Sequence, residues 1–124
     1  MYRVLLVTGG GAVGSALRYC LTGLVQRNIT SFPLGTLAVN VVGCLAIGFL
    51  SERFAAAGDP DLRLAVLVGV LGGFTTFSAF SLETLHMIQA RQMGLALLNI
   101  GGSVALCLFS VWAGQQAARW MAAS

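Results

Sequence analysis

A run of glycine, threonine, serine and phenylalanine residues near the middle of the chain has the groups needed to meet an ion. Residues 69–81 read Gly-Val-Leu-Gly-Gly-Phe-Thr-Thr-Phe-Ser-Ala-Phe-Ser inside a long apolar segment. A Gly-Gly pair followed by two threonines disfavours a continuous helix, since each glycine costs about 1 kcal/mol relative to alanine. At membrane depth, unwound backbone is tolerated only where protein buries it or where it lines a cavity. The run therefore predicts a mid-membrane break whose freed carbonyls and amides form an ion site.

Two polar side chains stand inside other apolar segments, and each has two interpretations. Arg18 could attract an anion at the mouth of a vestibule, because an arginine within a membrane span is costly and indicates function. It could equally snorkel to the membrane surface or pair with a backbone carbonyl. Asn40 could present its amide N–H groups to an anion, or it could bond a neighbouring helix.

The composition is that of an integral membrane protein. Of the 124 residues, 57% are hydrophobic and 9% are charged, whereas a typical soluble domain has about 25% charged residues. The net charge of +3 comes from arginine alone, since the chain has no lysine, and it is too small and scattered for a nucleic-acid surface. Cys20, Cys44 and Cys107 form no CxxC pair, which indicates free buried thiols and not disulfides or a metal site.

Four apolar segments are long enough to cross a bilayer as helices. They cover residues 4–25, 34–50, 62–89 and 95–118, with an acidic loop at 51–63. About 20 residues suffice for one span, so the long third segment has room for two half-helices divided near residues 72–76. The prediction is a single all-α transmembrane domain. Four short helices do not easily enclose a pore, so a homo-oligomer is expected.

The glycines of the first segment imitate a nucleotide-binding motif. Residues 9–14, Gly-Gly-Gly-Ala-Val-Gly, contain GxGxxG after an apolar run. That motif requires an acidic residue about 20 positions later in a soluble βαβ unit, and no Asp or Glu occurs between Gly14 and Ser51. Gly10 and Gly14 lie four apart, which instead predicts a face for close helix packing.

Two further patterns bear on the architecture. In the fourth segment, Asn99, Ser103 and Cys107 recur every four residues, which puts them on one helical face and suggests a polar path. With the N-terminus inside, four arginines would face the cytoplasm and two would face out, a small bias under the positive-inside rule. A chain with so little bias could insert both ways, and two copies could pair antiparallel.

Three motifs in order identify a family. They are residues 10–14 with Leu17, Arg18 and Tyr19, residues 35–40 (Gly-Thr-Leu-Ala-Val-Asn), and residues 72–81. Over its whole length the chain resembles the Fluc (CrcB) family of bacterial fluoride channels. The resemblance implies an antiparallel, dual-topology homodimer in the bacterial cytoplasmic (inner) membrane. It also implies two fluoride pores and a structural sodium ion at the centre of the interface.

The resemblance assigns roles to individual residues. The backbone carbonyls of Gly72 and Thr75, from both subunits, would hold the sodium ion. Rings, hydroxyls, an amide and a carboxylate would belong to the fluoride pathway, namely Asn40, Phe77, Ser78, Phe80, Glu83 and Ser103. Arg18 joins them as the anion attractor that its position within a span suggests. Two positions depart from the family pattern. Ala79 and Cys107 stand where hydroxyl residues are common, so both remove a strong donor from the polar track.

The chemistry also follows from the residue types. Fluoride is small and tightly hydrated, so a pore must replace its water shell with numerous modest donors. Phe77 and Phe80 lie three apart on one helical face and could present the positive edges of their rings in file. The carbonyls at the end of a half-helix lie at the negative end of its dipole, which suits a hard cation.

Two rival functions were compared with the channel. A small dual-topology multidrug antiporter would need a carboxylate in the first helix to exchange protons for cationic drugs. That segment has none, and Glu83 is the only acid within a predicted span. A purely structural membrane subunit would not require the break beside the aromatic file. No enzyme is expected, since the sequence has no nucleophile–base pair and no metal-ligand cluster.

Overall fold

The computed structural model describes residues 1–28 and 31–124, apart from the side chain of Ala57, and these residues form helices without any β-strand. The elements are α1 (Tyr2–Gln26), α2 (Leu34–Ala57), α3 (Pro60–Arg63), a π-helical segment (Leu64–Val70), α4 (Leu71–Phe74), α5 (Phe77–Gln89) and α6 (Met93–Ala123). Four stretches are long and apolar enough to cross a membrane, namely Tyr2–Gln26, Leu34–Ala56, Pro60–Gln89 and Met93–Ala123. The predicted all-α class with four membrane-competent helices is confirmed.

The third stretch, Pro60–Gln89, is a composite of several windings. Its π-helical segment widens the spiral, so that the Leu71 amide bonds the Val66 carbonyl five residues back. The backbone then leaves the helix at Thr75 (φ −82°, ψ 160°) and Thr76 (φ −152°, ψ 117°) before α5 begins. The glycines of the predicted break region are still helical within α4, and the interruption falls on the two threonines that follow them.

Close packing of α1 on this third stretch depends on glycine. A Cβ on Gly10 would lie 2.5 Å from the Ala65 carbonyl oxygen, and a Cβ on Gly14 would overlap the Val70 carbonyl. In return, a Cβ on Gly73 would lie 2.5 Å from the carbonyl oxygen of Gly11. The small-residue face predicted in the first segment is therefore confirmed as a packing surface.

Helices α2 and α6 run parallel and pack through glycines. A Cβ on Gly48 would overlap the Val111 carbonyl, and one on Gly114 would overlap the Leu45 carbonyl. At the far end of the pair, Arg119 Nη2 lies 2.7 Å from Glu52 Oε1. The third stretch packs mainly on α1, and its last helix, α5, also contacts α6.

Two predicted helix ends were wrong. The second helix was expected to end at Leu50, but α2 continues to Ala57 and ends at Gly58, a left-handed residue (φ 71°) whose amide bonds the Phe54 carbonyl. The fourth was expected to end at Ala118, but α6 continues to Ala123. The added turns include Glu52 and Arg119, whose side chains form an ion pair between the two helices.

Few apolar side chains are fully enclosed by the described chain. Val39, Ala96 and Ala118 are almost completely buried, whereas most leucines and phenylalanines on α1, α5 and α6 are exposed. Exposed apolar surface of this extent suits contact with lipid or with another chain.

Candidate functional site

A groove of about 350 Å³ runs beside the interrupted helix. It is lined by residues of α2, the third stretch and α6, and it contains six of the residues predicted to serve an ion, namely Asn40, Gly72, Thr75, Phe77, Phe80 and Ser103. Residues from three separate regions of the sequence therefore meet along one surface.

Asn40 holds the interruption open. Its Oδ1 accepts a hydrogen bond of 2.8 Å from the Thr76 amide, and its Nδ2 donates one of 2.9 Å to the Thr76 carbonyl. In a continuous helix the Thr76 amide would instead bond the carbonyl four residues back. Of the two interpretations of Asn40, the bond to a neighbouring helix is therefore realised. One of its two amide hydrogens remains for a ligand.

The threonines complete the two helix ends. Thr76 Oγ1 accepts from the Ala79 amide at 3.2 Å and so caps the start of α5. Thr75 Oγ1 donates to the Leu71 carbonyl at 3.0 Å, and the Thr75 amide bonds the same carbonyl at 3.0 Å. The two threonine hydroxyls thus stabilise the non-helical backbone at Thr75 and Thr76.

Phe77 and Phe80 form a ring pair along the groove. Their centroids lie 5.3 Å apart with an interplanar angle of 41°, which is a tilted arrangement that offers ring edges as well as faces. Phe77 is 77% exposed, so its ring is not a core residue of the single chain. The predicted aromatic file is present as a geometric pair, and its role in conduction stays a prediction.

The carbonyls assigned to sodium have suitable surroundings. Hydrogen bonds outside the helices, in the part of the chain that the structure describes, supply no donor to the carbonyl oxygens of Gly72 or Thr75. Gly72 is exposed, and a Cβ placed there would meet no atom within 4 Å. Two free peptide oxygens on an open face fit a hard cation, and further ligands would have to come from a second chain.

A second cavity of about 420 Å³ lies near the start of α2 and the end of α5. Its polar lining includes Thr22, Gln26, Glu83 and His86. Glu83 Oε1 accepts a hydrogen bond of 2.6 Å from Thr36 Oγ1. Glu83 Oε2 is buried and has no hydrogen-bond partner among the described residues, so this carboxylate retains an unused acceptor at the cavity.

A buried polar chain joins α5 to α6. Asn99 Nδ2 donates to Thr84 Oγ1 at 2.9 Å, and Ser103 Oγ donates to Asn99 Oδ1 at 3.4 Å. Asn99 is 2% exposed. The predicted polar face of the fourth helix is therefore turned inward, and Ser103 connects it to the groove.

Sequence reasoning missed two members of this arrangement, Thr36 and Thr84. A signal was present, because Thr36 lies one turn before Asn40 and Thr84 lies one turn after Phe80, each on the face of a predicted site residue. Threonine in a membrane helix often bonds only its own backbone, and Thr84 also donates to the Phe80 carbonyl at 2.7 Å. Because a bond to the backbone of its own helix is so common for threonine, the spacing of Thr36 and Thr84 alone does not indicate a role in the site.

Two predicted site residues lie outside both cavities. Ser78 is exposed, and its Oγ lies 3.2 Å from Thr76 Oγ1. Arg18 is half-exposed on α1 and has no hydrogen bond or ion pair within the described residues. In a single chain, these two are therefore not brought together with Asn40 and Phe80.

The fold and groove define a class: a small multi-pass membrane protein with an interrupted third helix beside an aromatic-lined groove. The chain belongs to the CrcB family, whose model, described as "CrcB-like protein, Camphor Resistance (CrcB)", matches residues 5–115. This confirms the family resemblance drawn from the three motifs. It also agrees with the expectation that the chain is not an enzyme.

Several relatives match nearly the whole chain. A "Fluoride-specific ion channel FluC" of Methylobacillus flagellatus is 46% identical over 118 residues, covering 92% of each protein. One of the same name from Paracoccus denitrificans is 47% identical over 113 residues, covering 91% of each. A third, from Geobacter sulfurreducens, is 45% identical over 122 residues, covering 96% of this chain and 98% of the relative.

Proposed function

We propose that this protein is a fluoride-selective channel that lets fluoride leave the cell passively across the bacterial cytoplasmic (inner) membrane. The relatives support this proposal, since proteins with about 45% identity over most of the chain carry the name of fluoride-specific channels. The four membrane-competent helices supply the transmembrane body.

The observation that carries the proposal is the groove shared by Asn40, Phe77 and Phe80. A fluoride ion that loses its hydration shell needs weak donors at close range. The edges of the phenylalanine rings carry partial positive charge. Asn40, which lines the same groove, adds its second amide hydrogen as a donor. Ser103 extends the donors onto α6. Chloride is larger, so a file of ring edges spaced for fluoride would exclude it.

The proposed path continues from the groove toward the second cavity. Phe80, Glu83 and Thr84 follow one another on α5 within about one turn, so an ion leaving the rings would pass the Thr36–Glu83 pair. Arg18 and Ser78 lie outside the groove of one chain. In the proposal they contribute at the mouths of the pathway, where a positive charge raises the local anion concentration.

The proposed working unit is an antiparallel homodimer of oppositely inserted copies. In a single chain, the groove, Phe77 and Gly72 are uncovered on one side. A second copy would cover that side. The distribution of arginine supports insertion in both directions. Arg3 and Arg119 are each paired with an acid at the same end of the molecule, which reduces the difference in net charge between the two ends.

A structural sodium ion fits the proposed interface. The carbonyl oxygens of Gly72 and Thr75 from two copies would hold it. When bound, the ion would tie the two interrupted helices together and add positive potential beside the anion path. The protein supplies the rest of the arrangement, because Asn40 keeps the Thr76 amide from bonding the Gly72 carbonyl.

Growth in fluoride tests the proposed export directly. The gene would be expressed in a bacterium that lacks its own fluoride exporter, and growth would be followed at rising fluoride concentrations. The proposal predicts that the wild-type chain restores growth and that Phe80→Ile at equal membrane abundance does not. Absence of rescue by wild-type protein that is present in the membrane fraction would contradict the proposal.

A further inference from the structure

Two cysteines face each other in the groove. Cys44 on α2 and Cys107 on α6 both line it, and each lies one turn before the point at which the two helices touch, Gly48 against Val111. Both cysteines are free and partly buried, whereas Cys20 on α1 is exposed. The fluoride pathway proposed above uses neither thiol.

Helix packing accounts for this proximity. One turn after Cys44 and Cys107 on the same two parallel helices, Gly48 meets the carbonyl of Val111, and nothing larger than glycine would fit there. Backbones this close leave short side chains one turn away with little room to separate. The glycine contact therefore places the two thiols at the same level on facing helices.

We propose that Cys44 and Cys107 form a dithiol site for a soft divalent metal ion of the Hg²⁺ type. On binding, each thiol releases one proton and two sulfur–metal bonds form, with no change in the oxidation state of sulfur. Thiolates select soft metals. The product is neutral, because two thiolate charges cancel the metal charge, and a neutral complex is the form that an apolar groove accepts at least cost.

Three features separate this site from an ordinary pair of buried thiols. The groove gives a metal ion access, the sulfurs come from two helices with a rigid glycine contact, and two ligands satisfy the linear geometry of Hg²⁺. Harder ions that need four ligands would find too few donors, since no group of three or more His, Cys, Asp or Glu residues occurs in the described chain.

Binding is tested on the purified full-length chain in detergent, in a Cys20→Ser background that leaves only the two groove thiols. One equivalent of Hg²⁺ should abolish both reactive thiols and give one metal per chain in native mass spectra. A monothiol competitor should remove Hg²⁺ from Cys44→Ser or Cys107→Ser at a concentration at least about 100-fold lower than the two-thiol protein requires, because a single ligand lacks the chelate advantage. Gel-filtration profiles identify any variant that misfolds, and Cys44→Ala and Cys107→Ala then replace it.

The opposite results would overturn the site. Equal metal retention by the single-thiol and two-thiol proteins would show that no chelate exists, and one metal per two chains would show bridging between molecules. A further consequence rests on the proposed function: bound Hg²⁺ beside Phe80 should block fluoride efflux from liposomes, and Cys107→Ser should relieve the block. If thiol titration finds the chelate while no efflux occurs before metal is added, the proposed function fails and the dithiol site stands.

Discussion

The side chain of Asn40 bonds both peptide groups of Thr76, accepting from its amide at 2.8 Å and donating to its carbonyl at 2.9 Å. The two residues lie 36 positions apart, so a contact between helices fixes the local shape of the interruption. Asn40 replaces the hydrogen bond that the Thr76 amide would make to the Gly72 carbonyl in a continuous helix, and it leaves the carbonyls of Gly72 and Thr75 available for another partner.

Removing this side chain should destabilise the fold. Asn40→Ala leaves the Thr76 amide without its partner, and an unsatisfied polar group away from water costs about 1–3 kcal/mol. We expect the free energy of unfolding in detergent to fall by that amount, measured by chemical or thermal denaturation. Ser81→Ala is the matched control, because Ser81 is exposed and bonds only its own helix at the Phe77 carbonyl. Equal stability of both variants would contradict the role of Asn40.

Replacing a groove phenylalanine should stop conduction without breaking the protein. Phe77→Ile and Phe80→Ile keep the apolar volume but remove the ring edges, so fluoride flux in liposomes should fall at least tenfold while gel-filtration profiles stay unchanged. Phe109→Ile is a matched control, since Phe109 forms a similar ring pair with Trp112 (5.6 Å, 38°) but does not line the groove. Wild-type flux in both groove variants would remove the ring-edge argument.

Glycine at position 14 should be essential for packing. Gly14→Val would force a side chain into the Val70 carbonyl, and overpacking of this kind costs about 1–3 kcal/mol. The control is Gly9→Val, because a Cβ on Gly9 meets no atom within 4 Å. Unfolding midpoints compare the two variants, and a loss of stability in Gly9→Val equal to that in Gly14→Val would contradict the packing assignment.

The fold could be predicted where composition and spacing determine it. The four spans followed from apolar length, and the packing role of Gly10 and Gly14 followed from their spacing of four. The place of the interruption did not follow from helix propensity alone, because Gly73 remains helical where α1 approaches it. The decisive contact comes from Asn40, and no local rule reports a partner so distant in sequence.

The site was predicted in part for a similar reason. Phe77, Phe80 and Asn40 were predicted to serve one pathway, and all three line the same groove. The Thr36–Glu83 and Thr84–Asn99 hydrogen bonds depend on which faces of three helices meet, and threonine spacing within one helix cannot show that. The π-helical winding at Leu64–Val70 also has no signal in the apolar pattern, since this segment is as uniformly apolar as an ordinary membrane helix.

Dual topology should be visible from the two sides of the membrane. With an epitope tag at the C-terminus, about half of the molecules should be labelled in intact spheroplasts. The other half should be labelled only after the membrane is permeabilised. Arg27→Ala combined with Arg91→Ala leaves arginines chiefly at the other end, so the positive-inside rule predicts insertion in one direction. That variant should lose flux and regain it when mixed with a copy of opposite bias. One-sided labelling of the wild-type chain would contradict the antiparallel dimer.

Sodium should stabilise the dimer without carrying current. If carbonyls of Gly72 and Thr75 hold the ion, stability should rise with its concentration, reaching about 2.7 kcal/mol at 100 times the dissociation constant. Unfolding of the detergent-purified dimer would be compared in sodium and N-methylglucamine salts at equal ionic strength. Identical unfolding midpoints in the two salts would contradict the proposed cation site.

The most direct measurement is efflux from liposomes followed with fluoride and chloride electrodes in parallel, with a proton carrier present to collapse any pH gradient. The account predicts rapid fluoride release, negligible chloride release and no dependence on the pH gradient. Equal release of both halides would contradict the selective aromatic pathway, and fluoride release that stops when the pH gradient is collapsed would indicate a proton-coupled transporter instead of a channel.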